Sequence, residues 1–197
     1  MIIMTKAKRT SKANERVGQT FLSREGFLFF IKEYYGTKDV VVKFMDKHGA
    51  EVHTTYQHCK NGFVKNPYFT SVYGVGYLGE INVKTKVDGV PTREYGLWRE
   101  MLNRCYSGKY PSYANVTVCE RWLCYANFLE DLPKIENYDW WLENPNQRIA
   151  MDKDLKQIGV ENKVYSLETV KFVSASENSK EVHERKSKES TDTVDSF

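Results

Sequence analysis

The strongest constraint on the fold is a strand pattern that flanks a turn at 46–49, with the sequence Asp-Lys-His-Gly. Before the turn, positions 40–44 place apolar residues at every second position, which is the period of a half-buried strand. The glycine that ends the turn can adopt the left-handed conformation of a tight hairpin. With an apolar run at 27–35 and a returning strand at 51–56, the sequence predicts a small antiparallel three-stranded sheet within residues 17–80.

A helix is predicted at 93–106, followed by the helix-ending residues Gly108 and Pro111. Its apolar residues recur at the spacing i, i+1, i+4, i+5 and i+8, which places them on one face of a helix. They are Leu97, Trp98, Met101, Leu102 and Cys105. We expect this face, together with Trp122, to form a second apolar core.

After this helix, the pattern predicts a short strand at 116–118 and a second helix at 122–132, which ends before Pro133. The segment 136–146 is rich in Asn, Pro and Trp, which is typical of a loop on the surface. This stretch therefore links the sheet module to the C-terminal part of the chain.

The last ordered elements are predicted to be two strands and a helix. The strands fall at 149–155 and 170–173, with a turn at 159–163 between them. Ser174 and Glu177 have the spacing of a capping box, and the helix that they begin carries Asn178 in its first turn. The predicted class is α+β, with a sheet module, a helical segment and a strand–strand–helix unit in that order.

Charge is concentrated at the N-terminus. Residues 1–16 contain five basic residues against one acidic residue, a net charge of +4, so the other 181 residues carry about −1 of the total charge of +3. We expect this arm to be disordered and its Lys8 and Arg9 to be candidates for contacts with DNA phosphates. The polar segment 183–197 is expected to be a disordered tail.

Cysteine spacing argues against a zinc-binding protein, and hydropathy argues against a membrane protein. The four cysteines form no C-x-x-C pair and have no histidine at the spacing of a zinc site, so we expect reduced thiols and no zinc. No stretch approaches the roughly 20 apolar residues of a membrane span. We therefore expect a soluble cytoplasmic protein that does not associate with membranes.

Four blocks of this sequence resemble the phage HNH homing endonucleases. The first two blocks, 95–106 and 118–131, are similar to their W-x-x-M-x-x-R-C-Y and V-C-x-R-W…F-x-x-D stretches. The block 151–154 lies where the family shows L-D-x-x-D, and the block 165–178 resembles Y-S-x-E-N-x-x-W/F-V-T…E-N. The resemblance covers roughly residues 93–182. It implies a ββα-metal core within 81–182.

The resemblance also implies roles for individual residues. Asp152, Asp154 and Asn178 would hold Mg²⁺ or Mn²⁺ if the protein is an enzyme, and Asp152 and Lys153 would be the catalytic candidates. The cations expected to contact DNA from this core are Arg99, Arg104, Arg121 and Lys171. Residues 17–80 resemble the AP2-like modules of the same phage proteins, with an SH3-like module as the alternative.

One position departs from the family pattern. Lys153 stands where the catalytic histidine is expected, and no histidine occurs between His58 and His183. Lysine is almost fully protonated near neutrality and is therefore a poor base, so it is better suited to binding a phosphate. Three hypotheses follow. They are a metal-dependent DNA-nicking enzyme, a DNA-binding protein that does not cleave, and a phage protein that binds a host protein, for example to inhibit a defence complex.

Overall fold

The computed structural model describes residues 13–81, 84–174 and 176–177, which fall into two compact units. Of the described residues, the first unit contains 13–70 and 77–80, and the second contains 71–76, 81, 84–174 and 176–177. The chain is mixed α/β with an antiparallel sheet near its N-terminus, which confirms the α+β prediction at that level. The predicted tail and most of the predicted arm lie outside the described residues.

The first unit is built on one antiparallel sheet with the strand order β1-β2-β3-β4. Its elements are α1 (Ala13–Arg16), β1 (Thr20–Leu22), β2 (Leu28–Gly36), β3 (Asp39–Phe44), β4 (Glu51–Thr54) and α2 (Tyr56–Asn61). The sheet has four strands where three were predicted, because β1 is too short to show a clear alternation. The predicted arm also ends early, since its last four residues form α1.

The turn between β3 and β4 forms as predicted. The Asp46 carboxylate accepts hydrogen bonds from the backbone amides of His48 and Gly49, at 3.2 and 3.0 Å. Gly49 has a φ of 60°, in the left-handed region that glycine adopts without strain. The turn fixes the register in which one face of the sheet is buried, and that face is formed by Phe29, Ile31, Val42 and Phe44.

The second unit contains short strands around one long helix. Its elements are β5 (Lys86–Val87), β6 (Val90–Pro91), α3 (Arg93–Tyr106), β7 (Val116–Val118), α4 (Glu120–Leu123), α5 (Tyr125–Asp131), α6 (Tyr138–Glu143), β8 (Ile149–Asp152), β9 (Lys163–Tyr165) and β10 (Lys171–Ser174). β8 pairs antiparallel with β10, and β7 pairs parallel with β9. Single 3₁₀ turns occupy Pro111–Tyr113 and Leu132–Lys134.

Helix α3 confirms the predicted helix and its apolar face. Trp98, Met101, Leu102 and Trp122 are each fully buried. The indole nitrogen of Trp98 donates a hydrogen bond of 2.7 Å to the carbonyl of Trp122, so the polar atom of this core residue is satisfied. The Thr92 hydroxyl accepts from the Tyr95 amide and caps the first turn.

Four of the predicted elements have different boundaries in the structure. The helix expected at 122–132 is divided into α4 and α5, because Cys124 between them is extended, with φ −87° and ψ 119°. The segment 136–146 is not a loop throughout, because α6 lies within it. Trp141 of this helix is buried and stacks on Phe172 at a centroid distance of 5.0 Å, a tertiary contact that overrides the loop-like composition.

The strand predicted at 149–155 ends at Asp152, and the turn predicted at 159–163 gives way to β9 at Lys163. The predicted capping box is confirmed. The backbone amide of Ser174 donates to the Glu177 carboxylate at 2.9 Å, and the Glu177 amide donates to the Ser174 hydroxyl at 3.2 Å.

The longest helix in the described ranges is α3, with 14 residues. No helix among those residues is both long enough and apolar enough to cross a lipid bilayer.

Substitution by alanine is expected to have opposite effects on stability at two glycines of the second unit. A methyl group on Gly76 would lie 2.4 Å from a side-chain carbon of the buried Leu102, whereas a methyl group on Gly96 of α3 would meet nothing within 4 Å. We expect Gly76→Ala to lower the free energy of unfolding by about 1–3 kcal/mol through overpacking. Gly96→Ala should raise it by about 0.5–1 kcal/mol, because alanine favours the helix.

The measurement is urea-induced unfolding of the two variants beside the wild type. Equal effects of the two substitutions, or a stable Gly76→Ala protein, would contradict the close packing of Gly76 against α3.

Candidate nucleic-acid interface

The candidate site begins where β8 ends. The Asp152 carboxylate accepts hydrogen bonds from the backbone amides of Asp154 and Leu155, both at 2.9 Å. This local turn stops the strand, since the backbone leaves the extended conformation here. Asp152 and Lys153 are both buried, and Lys153 is only 5% exposed. The turn therefore holds a lysine side chain inside the second unit.

One carboxylate lies between two lysines. Asp154 accepts from Lys153 at 2.9 Å on one oxygen and from Lys163 at 2.5 Å on the other. Burial by itself would raise the pKa of Asp154, but the hydrogen bonds from Lys163 and Lys153 lower it below the ordinary value. Asp154 is therefore ionised at neutral pH and is engaged by both lysines.

The loop that carries these residues is fixed by Gln157, which is 6% exposed. Its amide nitrogen donates to the carbonyls of Lys153 and Val164, at 2.8 and 2.9 Å, and its amide oxygen accepts from the Val164 amide at 3.0 Å. These bonds join the loop after β8 to β9. Because these bonds join the two segments, Lys163 at the start of β9 is held on the same side of the second unit as Lys153.

Aromatic side chains and a further cation surround Lys153. Its ammonium group lies 4.6 Å from the ring centre of Tyr113 and 5.8 Å from that of Tyr165. The guanidinium of Arg104 also lies 5.8 Å from the Tyr113 ring. Burial raises the pKa of the adjacent Cys105 thiol to about 11, although Arg104 and Lys153 favour its thiolate. The thiol is therefore neutral at physiological pH.

We call this group the Lys153 cluster. Its members are Arg104, Tyr113, Lys153, Asp154, Lys163 and Tyr165. It holds three cations and one carboxylate, an excess of positive charge in a partly desolvated environment. Because buried charge is costly unless it is compensated, such a cluster favours the binding of an anion. A phosphate group provides the charge and the acceptor oxygens that lysine and arginine bind.

Two of the three residues expected to hold a metal are described, and both of their carboxylates have other partners. Asp152 is used by two backbone amides and Asp154 by two lysines, whose charge disfavours a divalent cation. Within the described part of the chain, no group of three His, Cys, Asp or Glu side chains has the arrangement of a metal site. Asn178, the third predicted ligand, lies outside the described residues.

The basic residues that are predicted to contact DNA lie at separate places in the structure. Arg104 lies in the Lys153 cluster. Arg99 is exposed on α3 five residues earlier, which places it about 140° away around the helix. Lys171 lies on β10 directly opposite Asp152 in the β8–β10 pairing. Lys8 and Arg9 lie outside the described residues.

Arg121 has a structural partner. Its guanidinium binds Asp131 at 2.7 Å and Glu130 at 2.7 Å. Asp131 also accepts from Lys134 at 2.9 Å and from the indole nitrogen of Trp122 at 3.0 Å. The hydrogen bond from Arg121 is the largest of the effects that lower the pKa of Asp131. This network joins α4 to α5 and pairs Arg121 with two carboxylates, while 48% of its side chain remains exposed.

The sheet of the first unit offers little unpaired positive charge on the face that an AP2-like module would use. Lys32 and Lys43 both pair with Glu51, at 2.6 and 3.6 Å. Lys47 is exposed at the turn. The Lys153 cluster of the second unit is therefore the better candidate for binding an anion.

Sequence reasoning identified Lys153, Asp154 and Arg104, but it missed the residues that complete the cluster. The sequence pattern predicts a turn at 159–163, which includes Lys163. Tyr113 lies two residues after Pro111, which the pattern interprets only as a residue that ends a helix. The alternation of Lys163 and Tyr165 around Val164 is the signal of a strand and could have indicated that both side chains share one face.

Comparison of the chain with protein-family models, with curated proteins and with solved structures found no match.

The Asp131 network predicts a pH dependence of stability. Because the pKa of Asp131 is depressed in the folded state, its contribution is present above the ordinary aspartate pKa of about 3.9 and is lost as the pH falls further. We expect Asp131→Asn to lower the free energy of unfolding by about 2 kcal/mol at pH 7. The loss should shrink in acid, because the wild type then loses the same contribution.

Urea unfolding at a series of pH values between 7 and 2 measures both effects, with the exposed Glu161→Gln as the control. A constant difference between wild type and Asp131→Asn over this range would show that the network does not depress the pKa.

Proposed function

We propose that the protein binds DNA and that the Lys153 cluster contacts a backbone phosphate. The observation that carries this proposal is the grouping of three cations in the Lys153 cluster: Lys153 and Lys163 pair with Asp154, and Arg104 lies near the Tyr113 ring that Lys153 also approaches. The motifs that resemble phage HNH proteins support the same partner. We further propose that the protein is phage-encoded and acts in the host cytoplasm.

The placement of the cations supports a local rather than a diffuse interaction. Outside the basic N-terminal segment the chain is nearly neutral, so no broad positive field attracts nucleic acid. Lys153 and Lys163 are held by the Asp152 turn, Gln157 and Asp154. A preorganised pair of ammonium groups binds phosphate without the entropy cost of ordering two long side chains.

We expect Lys153→Gln to weaken binding to a short DNA duplex about tenfold, because a charged hydrogen bond is lost. The slope of log affinity against log salt should fall by roughly 0.9, the value for one phosphate contact on duplex DNA. Fluorescence anisotropy with a labelled duplex at several salt concentrations measures both quantities. Lys65→Gln, at an exposed position of the first unit, is the control with the same loss of charge.

If Lys65→Gln and Lys153→Gln reduce affinity and slope equally, the cluster is not the specific phosphate contact. If the wild type shows no salt-dependent affinity for duplex DNA at all, the proposal of DNA binding fails.

Metal-dependent nicking is the second candidate, and the resemblance to HNH endonucleases implies it. The antiparallel pairing of β8 with β10, followed by the reciprocal bonds of Ser174 and Glu177, supports the strand–strand–helix layout of those enzymes. The ion pairs of Asp154 with two lysines argue against a metal in the arrangement described here. An activity assay is therefore required to decide between binding and cleavage.

If the protein is a nuclease, supercoiled plasmid should be nicked in the presence of Mg²⁺ or Mn²⁺, and Asp152→Ala should abolish the nicking. Lys153→His would supply a group that titrates near neutrality and should increase the rate. Gel electrophoresis of the plasmid measures the reaction, with EDTA as the control. Absence of nicking by both the wild type and Lys153→His would reject cleavage.

A protein that neither binds nor nicks DNA would favour the remaining hypothesis, in which the partner is a host protein.

A further inference from the structure

A groove of about 430 Å³ runs along helix α3 in the second unit. One wall is a face of α3 that carries two basic residues and one acidic residue, and its lining residues are Arg93, Gly96, Leu97, Glu100 and Arg104. The opposite wall includes Trp141 and the strand β8. The volume lies in the range of roughly 300–1,000 Å³ that is typical of sites for small ligands.

The wall of the groove contains a glycine in the first turn of a helix. Gly96 lies in α3, and a methyl group built on it would have no neighbour within 4 Å. A helical glycine lowers stability relative to alanine, and no packing contact requires it here. The position keeps this part of the groove open, which is the arrangement expected where a ligand lies against the helix backbone.

One end of the groove presents a fixed guanidinium plane. Arg93 lies over the Trp141 ring, 3.8 Å from its centroid, and donates a hydrogen bond of 2.5 Å to the Trp141 carbonyl. Trp141 is itself held by stacking on Phe172. Unpaired bases stack on arginine guanidinium planes as they do on aromatic rings. Arg93 therefore has the orientation and rigidity of a stacking surface.

The other end of the groove reaches the Lys153 cluster. Arg104 lines the groove and belongs to that cluster, and Met151 of β8 lines it immediately before Asp152 and Lys153. Arg93 and Arg104 are eleven residues apart, about 16 Å along the helix axis. The groove thus connects a stacking surface with a phosphate site.

We infer that this groove receives one unpaired nucleotide of a DNA strand, with its base stacked on Arg93 and its phosphate at Arg104. The inference rests on the proposed function and adds a preference to it, since the protein should favour DNA that contains an unpaired nucleotide over fully paired duplex. Gly96 provides the space beside the base, and the Lys153 cluster holds the adjoining phosphate.

The test compares two labelled duplexes of the same sequence, one fully paired and one with a single-nucleotide bulge, by fluorescence anisotropy with the full-length protein. We expect the bulged duplex to bind about tenfold more tightly, since stacking of one base on a side chain strengthens binding. Gly96→Phe should remove this preference by filling the groove, so that the two duplexes bind with equal affinity. Gly96→Ala is the matched control and should retain the preference.

A second variant does not depend on filling the groove. Arg93→Lys keeps the positive charge but removes the planar group, so it should reduce the preference for the bulge and leave the salt dependence unchanged. Thermal unfolding of each variant separates loss of binding from loss of folding.

The outcomes distinguish this inference from the proposed function. Equal affinity of the wild type for both duplexes would overturn the inference and leave DNA binding intact. A preference that survives in both Gly96→Phe and Arg93→Lys would overturn it as well, because the unpaired nucleotide would then lie elsewhere. Absence of binding to either duplex would reject the proposed function and this inference together.

Discussion

The candidate site depends on one aspartate that stops a strand. Asp152 accepts two backbone amides with a single carboxylate oxygen, and these bonds turn the chain at the end of β8. Without this turn, the strand would continue and alternate its side chains between two faces. The turn instead holds Lys153 in the interior, where Gln157 and Asp154 complete its environment. The local hydrogen bonding of one side chain thereby determines where the positive charge lies.

The two neighbouring aspartates have separate roles in this arrangement. Asp152 stabilises backbone, while Asp154 neutralises part of the charge of two lysines. A pair of carboxylates separated by one residue suggests a metal site when only the sequence is known. The structure shows that the same two residues can be engaged by internal donors, which leaves the cations as the chemically distinctive feature of the site.

The parts of the fold with a local sequence signal could be predicted. The stripe of α3, the turn at 46–49 and the capping box all depend on spacings within a few residues, and all three are present. The parts that depend on distant contacts could not be predicted. Helix α6 exists because Trp141 packs on Phe172, and no local pattern encodes that contact.

The residues of the candidate site also divide into those with a local sequence signal and those that depend on distant contacts. Lys153 and Asp154 were identifiable because they lie within a motif, and Arg104 because it lies within another. Lys163 reaches the site through the parallel pairing of β9 with β7, whose partners are separated by a long stretch of chain. A pairing of this kind has no signature in a single sequence, so the contribution of Lys163 emerged only from the structure.

The strand pairings of the second unit are interleaved along the chain. β7 pairs with β9 and β8 pairs with β10, so each pairing encloses one strand of the other. The paired residues Val116 and Lys163 are far apart in sequence, and closing such a loop costs entropy before any contact is gained. Neither pairing can be separated from the other by cutting the chain once. Residues 116–174 are therefore the shortest stretch of chain that carries both pairings, and a single break between β8 and β9 removes the covalent connection within both at once.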